Sequence, residues 1–283
     1  MGTDIPEIGR VVPSAFQRDH EGVGGAQVSD ALVGILDLQE QQPAVVRLRD
    51  WALAVSAPQP GQIALDVGAG TGTETQRLAV AVGPEGRAVG IEPHAQLREE
   101  ATRRAAQAGS RAEFVSGAAM ALPMPDASVD VVRSERVFQH LADPQAAADE
   151  IARVLRPRGI AVIIDTDWAT MVAYPSDPGL LQRYAQAFQG TVANPFAGRQ
   201  LRSWLSRAGL EVDEDVGSAA LVVTGEQIRG PGFIRAGAEF AVAAGSLTSA
   251  EADGFIARLS DAARRGEAFA AVTMFAAVGR KPA

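Results

Sequence analysis

Cysteine is absent from the sequence and histidine occurs only three times, and both scarcities exclude kinds of chemistry. Without a thiol, the chain can form no disulfide, no thiolate metal site and no cysteine nucleophile. Three histidines are few for a metal centre, so we predict no metal. Basic residues are outnumbered, with 26 Lys and Arg against 34 Asp and Glu and a net charge of -8. Since nucleic acids are bound by clustered Lys and Arg, we expect no nucleic-acid partner.

Long apolar runs are missing as well. No uninterrupted run reaches the about 20 residues that cross a bilayer. The first residues do not combine a basic segment with an apolar stretch, as a secretory signal does. We therefore expect a cytoplasmic protein without a membrane partner. The 283 residues are 47% hydrophobic, which is ample for the core of one large domain or one and a half.

The most informative segment present is residues 64–73, which read Ala-Leu-Asp-Val-Gly-Ala-Gly-Thr-Gly-Thr. An apolar strand is followed by three alternating glycines, Gly68, Gly70 and Gly72, that open a helix. Glycine lets a strand-to-helix turn come close to a bound molecule, in the crevice where open α/β sheets bind nucleotides. The pattern therefore predicts a ligand against this backbone.

The residues around the glycines narrow the choice of nucleotide. A dinucleotide fingerprint needs a glycine where Thr73 stands, and a phosphate-binding P-loop needs a lysine where Glu74 stands. Asp66 and Glu74 would also repel a pyrophosphate at the helix N-terminus, but they would tolerate cationic groups. The second predicted strand ends at Glu92, 20 residues beyond Gly72, where a carboxylate can accept from both hydroxyls of a ribose.

At these residues the chain resembles the class I S-adenosylmethionine-dependent methyltransferases. Residues 117–130 resemble the adenine-side loop and fourth-strand entry of the branch that includes ubiquinone and menaquinone C-methylases and bacterial natural-product methyltransferases. Residues 150–159 resemble the helix-to-turn signature of that branch, and the whole resemblance spans about residues 45–170. Two positions depart from the pattern: Ala118 stands where Asp is common, and Arg158 replaces a glycine of a Pro-Gly-Gly turn.

The resemblance implies S-adenosyl-L-methionine as the cofactor. It implies cofactor contacts in the glycine loop, at the end of the second strand, beside the adenine and just past the fourth strand. A tight turn with a solvated acid is the alternative for the loop, and ordinary core packing is the alternative for residues 118–120. The cofactor-binding residues predicted are Asp66, Gly68, Ala69, Gly70, Gly72, Glu92, Pro93, Ala118, Ala119, Met120, Ser134 and Glu135.

Three further residues are catalytic candidates. His140 stands where the methyltransferase branch often has a histidine near the acceptor, and an imidazole can take a proton from a hydroxyl or enol near neutral pH. The alternative is a structural histidine bonded to a neighbouring loop. Asp165 and Asp167 follow the fifth predicted strand, where a carboxylate could orient His140 or the acceptor, or cap a turn. We expect His94 to cap a helix and His20 to lie at the surface.

Strand and helix patterns alternate along the chain and predict an α/β fold. The resemblance makes this a doubly wound, seven-stranded, mostly parallel sheet of the Rossmann-like methyltransferase type. We expect an N-terminal helical cap over residues 1–60, beginning with a lead around Phe16 and His20 that orders over a ligand. A methyltransferase domain follows over 61–283, with helical lid insertions at about 170–198 and 225–266. The predicted strands are 63–67, 88–92, 112–116, 130–134 and 160–165, then, after a looser stretch, an antiparallel pair at 210–224 and 268–278.

The leading functional hypothesis is methyl transfer to carbon, oxygen or nitrogen of a hydrophobic small molecule, such as a secondary metabolite or a quinone. Aromatic and methionine side chains in the lid segments suit an apolar pocket, although a satellite core under the lid is the alternative. A cyclase that leaves the cofactor intact and a non-catalytic binding module remain open, as does a homodimer. The lid residues concerned are Trp168, Met171, Tyr174, Phe196, Phe233 and Phe240.

Overall fold

The structure is a computed structural model that describes residues 33–34, 36–223, 225–230 and 233–283, apart from the side chain of Phe233. The predictions for the lead around Phe16 and His20 lie outside these residues, and so does the prediction for the Phe233 side chain. Within the described residues, no helix combines the length and the apolar composition needed to cross a membrane.

Eight strands form one sheet in the described part of the chain. Its order is β3-β2-β1-β4-β5-β8-β6, with β7 also paired to β8. Neighbours from β3 to β5 are parallel, and β8 is antiparallel to β5. The strands are β1 (Ile63–Val67), β2 (Arg87–Ile91), β3 (Glu113–Val115), β4 (Val129–Glu135), β5 (Leu155–Tyr174), β6 (Glu211–Val212), β7 (Gly217–Val223) and β8 (Phe269–Arg280).

The last edge of the sheet consists of two short strands in line. β6 pairs with residues 279–280 of β8, whereas β7 pairs with residues 270–276. The sheet is therefore seven positions wide, and the prediction of a doubly wound, mostly parallel sheet is confirmed. The single strand predicted at 210–224 is interrupted between these two segments.

Helices cover both faces of the sheet. The face under α1 and α2 buries Leu48 and Leu78 against Ala64 and Val131, and the opposite face buries Ile151 of α4 and Leu201 of α6 among other apolar side chains. The helices are α1 (Pro43–Ser56), α2 (Thr73–Val82), α3 (Ala95–Ala108), α4 (Pro144–Val154), α5 (Pro178–Gln189), α6 (Ala197–Arg207), α7 (Gly225–Arg229), α8 (Phe233–Ala243) and α9 (Ser249–Arg264), with a 3-10 turn at Phe138–His140.

The looser stretch predicted after residue 165 is wrong, because β5 continues to Tyr174. Its partner is β8, which pairs Phe275 with Asp165 and, beyond an irregularity, Phe269 with Tyr174. A strand whose partner lies a hundred residues away along the chain is stabilised by that partner rather than by its own sequence pattern.

Outside the two main cores, helices α5, α7, α8 and α9 enclose a third apolar cluster that includes Leu180, Phe255 and Leu259. A capping box begins α9: the Glu251 N–H donates to Thr248 Oγ1 at 3.2 Å, and the Thr248 N–H donates to Glu251 Oε2 at 2.8 Å. These helices cover the predicted lid segments, whose role as a lid remains a prediction.

Candidate functional site

The carboxyl ends of β1, β2 and β4 meet at the glycine loop. The N–H groups of Gly68 and Ala69 donate to Ile91 O at 2.8 and 3.0 Å, which ties the loop to the end of β2. Gly68 has a φ of 78°, and a Cβ added to it would lie 2.2 Å from Cγ2 of Val137. Only glycine therefore allows the loop to pack this closely against the segment that follows β4.

Glu92 faces this loop from the end of β2. The Gly70 N–H donates to Glu92 Oε2 at 2.8 Å, and the His94 N–H donates to Oε1 at 2.9 Å, bridging across Pro93. Burial raises the pKa of Glu92 to about 7. A carboxylate has about four lone-pair sites, so each Glu92 oxygen keeps one further acceptor site. Two remaining sites match the two hydroxyls of a ribose, and the residues present therefore fit a nucleoside.

Gly72, the third glycine of the loop, is fixed by packing. It has a φ of 85°, and a Cβ added to it would lie 2.6 Å from Phe114 Cζ and 2.9 Å from Ala101 Cβ. Glycine is therefore required here for the approach of the loop to α3 and β3. A contact between Gly72 and a ligand stays a prediction.

The segment predicted to lie beside an adenine follows β3. A Cβ added to Gly117 would lie 2.9 Å from Ile91 Cγ2, which places the segment next to the end of β2. Ala118 forms an isolated antiparallel bridge with Ala121, and Ala119 is buried in the main core. Met120 has an exposed fraction of 38% and is available for contact with a planar group. The segment thus stands beside Glu92 on the same edge of the sheet.

Asp66 and Glu74 lie in a buried network of opposite charges. The Thr75 hydroxyl donates to Asp66 Oδ2 at 2.7 Å, and Arg133 lies 3.4 Å from Asp66 Oδ1. Glu74 lies 3.7 Å from both Arg49 and Arg133. Because arginines neutralise both carboxylates, these acids would not repel a pyrophosphate strongly. The exclusion of a dinucleotide site and of a P-loop therefore rests only on the missing glycine at Thr73 and the missing lysine at Glu74.

Glu135 accepts from two guanidinium groups. Arg49 donates to both of its oxygens at 2.9 and 2.8 Å, and Arg133 donates at 2.7 Å. Burial acts to raise the pKa of Glu135, but the neighbouring guanidinium charges hold it well below its usual range. The Ser134 hydroxyl donates to Val67 O at 3.0 Å. The contacts shown for both side chains join elements of the fold, and their predicted contacts with a cofactor stay predictions.

Asp165 and His140 lie at the same strand edge, beside the 3-10 turn. The N–H groups of Gln139 and Thr166 donate to Asp165 at 3.0 and 2.7 Å. Burial raises the pKa of Asp165 to about 7. Burial, with the Arg136 charge, lowers the pKa of His140 to about 4. The imidazole is therefore neutral at pH 7, as a proton acceptor must be.

Asp167 connects β5 to α6. Its carboxylate accepts from Arg199 Nη2 at 2.9 Å and from the Ala169 N–H at 3.1 Å. The second contact closes a turn after Asp167. This agrees with the alternative interpretation, in which one of the two carboxylates caps a turn. Its predicted role toward the acceptor stays a prediction. His94 caps α3 as expected, since its side chain accepts from the Leu97 N–H at 3.4 Å.

The sequence argument missed the arginines of this site. Arg136 follows β4 with a φ of 57°, and its N–H donates to Ile164 O at 2.8 Å. Its Nη2 lies 3.3 Å from Glu135 Oε1, and its buried Nε has no hydrogen-bond partner among the described residues. A signal was present, because Arg133 interrupts an apolar strand, where a charged side chain requires a buried partner.

A helical segment at residues 36–40 lies over the glycine loop. The hydroxyls of Thr73 and Thr71 donate to Glu40 at 2.8 and 3.3 Å, and Arg104 of α3 binds Asp37 at 2.7 Å. This segment belongs to the predicted N-terminal cap.

Comparison with known proteins matches the part of the chain that contains the glycine loop and Glu92. Residues 65–163, which run from β1 into β5, match the family model described as a methyltransferase domain. An uncharacterized transposon protein of Streptomyces fradiae is 34% identical over 226 residues, which cover 78% of this chain and 63% of that protein. An uncharacterized methyltransferase of Schizosaccharomyces pombe is 37% identical over 167 residues, covering 55% of this chain and 59% of that protein.

The chain spans less than two thirds of the length of these two curated relatives. Among solved structures, the YcgJ protein of Bacillus subtilis superposes with a TM-score of 0.57 at 20% identity. The superposition covers 84% of this chain and 99% of that one. At this level of identity, the likeness shows a common fold.

Proposed function

We propose that the chain, whose residues 65–163 match a methyltransferase domain, transfers a methyl group from S-adenosylmethionine to a hydrophobic small molecule. One observation carries the proposal. The buried Glu92 carboxylate keeps two acceptor sites beside a glycine loop, at the edge where β1, β2 and β4 end. The similarity to an uncharacterized methyltransferase supports the same activity.

Three groups of residues would hold the cofactor. Glu92 would accept from the ribose hydroxyls, residues 68–70 would present backbone to the ligand, and residues 118–120 would flank the adenine. When bound, S-adenosylmethionine supplies an electrophilic methyl group on a sulfonium, and its transfer leaves S-adenosylhomocysteine. The chain has to align the acceptor and exclude water, and alignment can contribute about 7–11 kcal/mol to lowering the barrier.

His140 is the proposed proton acceptor. It is neutral at pH 7 because burial lowers its pKa to about 4. The same low pKa makes it a weak base, suited to an acceptor group that is itself acidic. Asp165 would hold the 3-10 turn that carries His140, since its carboxylate accepts from the neighbouring Gln139 N–H at 3.0 Å.

The acceptor would enter beneath the helices of the two predicted lid segments. The Trp168 indole donates to Gln139 Oε1 at 2.8 Å and packs against Phe188 at a ring separation of 4.7 Å, so an aromatic wall adjoins the 3-10 turn. Phe196 has an exposed fraction of 36%. Met171 and Phe240 pack against the third cluster, as expected for a satellite core. The quinone and natural-product branch is proposed on the sequence resemblance alone.

Product analysis tests the activity. The protein would be incubated with S-adenosylmethionine and a panel of phenolic, quinone and enolic acceptors, and S-adenosylhomocysteine would be quantified by mass spectrometry. We expect acceptor-dependent release in equal amounts with a product that is 14 mass units heavier. Conversion of an acceptor without release would indicate a cyclase. Cofactor binding without any conversion across the panel would indicate a binding module, and either result would contradict methyl transfer.

A further inference from the structure

We propose that Arg136 binds a carboxylate of the methyl acceptor and so selects acidic acceptors, an inference that rests on the proposed function. Arg136 lies directly after β4, between the glycine loop and the turn that carries His140. It is part of the strand edge at which the reaction would occur. The predicted site did not include it.

The backbone of Arg136 is held in a conformation that L residues disfavour. Its φ of 57° lies in the left-handed region, where a side chain crowds the following carbonyl oxygen. The hydrogen bond from its N–H to Ile164 O, 2.8 Å long, fixes this conformation against β5. Residues held in sparsely populated backbone conformations are concentrated at functional sites.

The side chain of Arg136 is largely buried, with an exposed fraction of 13%. It has five N–H donors, yet its Nε is buried without a hydrogen-bond partner among the described residues. Its ion-pair partner is Glu135, at 3.3 Å. Arg49 donates twice to the same carboxylate. Glu135 therefore cannot neutralise Arg136 alone, and a further anion would be stabilised there.

The other carboxylates around Arg136 are engaged elsewhere. Asp165 accepts from the N–H groups of Gln139 and Thr166, and burial raises its pKa to about 7, which reduces its negative charge at neutral pH. Glu40 accepts from two threonine hydroxyls of the glycine loop. Arg136 itself has a lowered pKa, first because it is buried, and the nearby Arg49 charge adds to this. A planar carboxylate matches the donor fork of a guanidinium.

The test uses the full chain saturated with S-adenosylhomocysteine and titrated calorimetrically with benzoate or with its neutral counterpart benzamide. We expect the wild type to bind benzoate at least tenfold more tightly than benzamide. Arg136→Gln should abolish this preference, and Arg136→Lys should keep part of it. Arg103→Gln, a change to an exposed arginine of α3, should behave as the wild type. Arg136→Asn, which tolerates a positive φ, serves as a second variant if the glutamine variant does not fold.

Three results would overturn the proposal: no preference for benzoate in the wild type, a preference that persists in Arg136→Gln and Arg136→Asn, or a loss of S-adenosylhomocysteine affinity in those variants. The last result would mean that Arg136 binds the cofactor carboxylate instead. Failure of the wild type to bind S-adenosylhomocysteine would count against the proposed function, whereas normal cofactor binding without a benzoate preference would count against Arg136 alone.

Discussion

At the scale of single residues, the neighbours of a buried carboxylate determine whether it is charged. Glu92 and Asp165 accept backbone N–H groups, and burial raises the pKa of each to about 7. Glu135 is equally buried, but guanidinium groups keep its pKa well below the usual range. The site therefore combines a permanently charged network with two carboxylates that ionise near neutral pH.

The raised pKa of Glu92 predicts that cofactor affinity depends on pH. In the proposed complex the ribose hydroxyls would donate to the ionised carboxylate, so binding at pH 6 should release a proton, and affinity should rise up to about tenfold per pH unit until pH 7. Calorimetric titration with S-adenosylhomocysteine in buffers of different ionisation enthalpy measures both quantities. Glu92→Gln should bind weakly with no such slope, while Glu99→Gln, on the exposed face of α3, should keep the wild-type profile. An unchanged slope in Glu92→Gln would contradict the assignment.

The Arg49–Glu135 pair should contribute much more to stability than an exposed pair. Arg49→Met removes the guanidinium that donates to both oxygens of the buried Glu135 carboxylate, and we expect the free energy of unfolding to fall by about 3–5 kcal/mol. Arg87→Met is the matched control, because Arg87 binds Glu113 with side-chain exposures of 48% and 47%. That change should cost less than about 1 kcal/mol. Urea denaturation gives both values, and equal losses would contradict the account.

At the scale of elements, the sequence predicted the features that depend on residues close together in the chain. The glycine loop and β1 follow from the pattern around residue 68, and β1 spans the residues expected. The continuation of β5 to Tyr174 depends on pairing with β8, and the link between Arg49 and Glu135 joins residues 86 positions apart. Arg133 in an apolar strand indicates that a buried partner exists, but no local pattern encodes which distant side chains a helix and a strand bring together, so the members of the arginine network could not be predicted.

Two glycines, Gly61 before β1 and Gly68 in the turn between β1 and α2, should respond differently to substitution by alanine. Gly61 and Gly68 both have positive φ, at 85° and 78°, so alanine strains the backbone at either position. An added Cβ at Gly61 meets nothing within 4 Å, whereas at Gly68 it meets Val137 at 2.2 Å. We expect Gly68→Ala to lower the midpoint of thermal unfolding more than Gly61→Ala does, and to abolish S-adenosylhomocysteine binding. Adding Val137→Ala should partly restore the midpoint, and equal midpoints for Gly61→Ala and Gly68→Ala would contradict this packing.

At the scale of the whole molecule, the residues proposed to hold the cofactor, from Asp66 to Glu135, lie within one contiguous part of the chain. They fall inside the matched domain at 65–163, and later elements supply the helices of the third apolar cluster. The sequence predicted the fold class and the two lid segments as regions of the chain. How these segments close over an acceptor depends on contacts between elements far apart in sequence.

The stability of the cofactor-free protein should fall as pH rises toward 7 because of Asp165. Its pKa is about 7 in the fold against 3.8 for an ordinary aspartate, so the folded state retains a proton that the unfolded state loses. Stability from this group is lost as pH rises from about 4 to 7, by at most about 1.4 kcal/mol per pH unit. His140, with its pKa lowered to about 4, acts in the opposite direction below pH 6.5.

Asp165→Asn isolates the contribution of that carboxylate, because Glu92 and His140 titrate in both proteins. Urea denaturation from pH 4 to 7.5 gives the free energy of unfolding of both proteins. The value for the wild type minus the value for the variant should fall steadily with rising pH. A constant difference across this range would show that Asp165 titrates normally.

The central claim is that Glu92 and the glycine loop bind the adenosyl group of S-adenosylmethionine. Isothermal titration of the wild type and of Glu92→Gln with S-adenosylhomocysteine at pH 8 tests it most directly. The account predicts saturable binding of one ligand per chain in the wild type and at least a tenfold loss of affinity in the variant. Equal affinities, or no saturation in a folded wild-type protein at millimolar ligand, would contradict it.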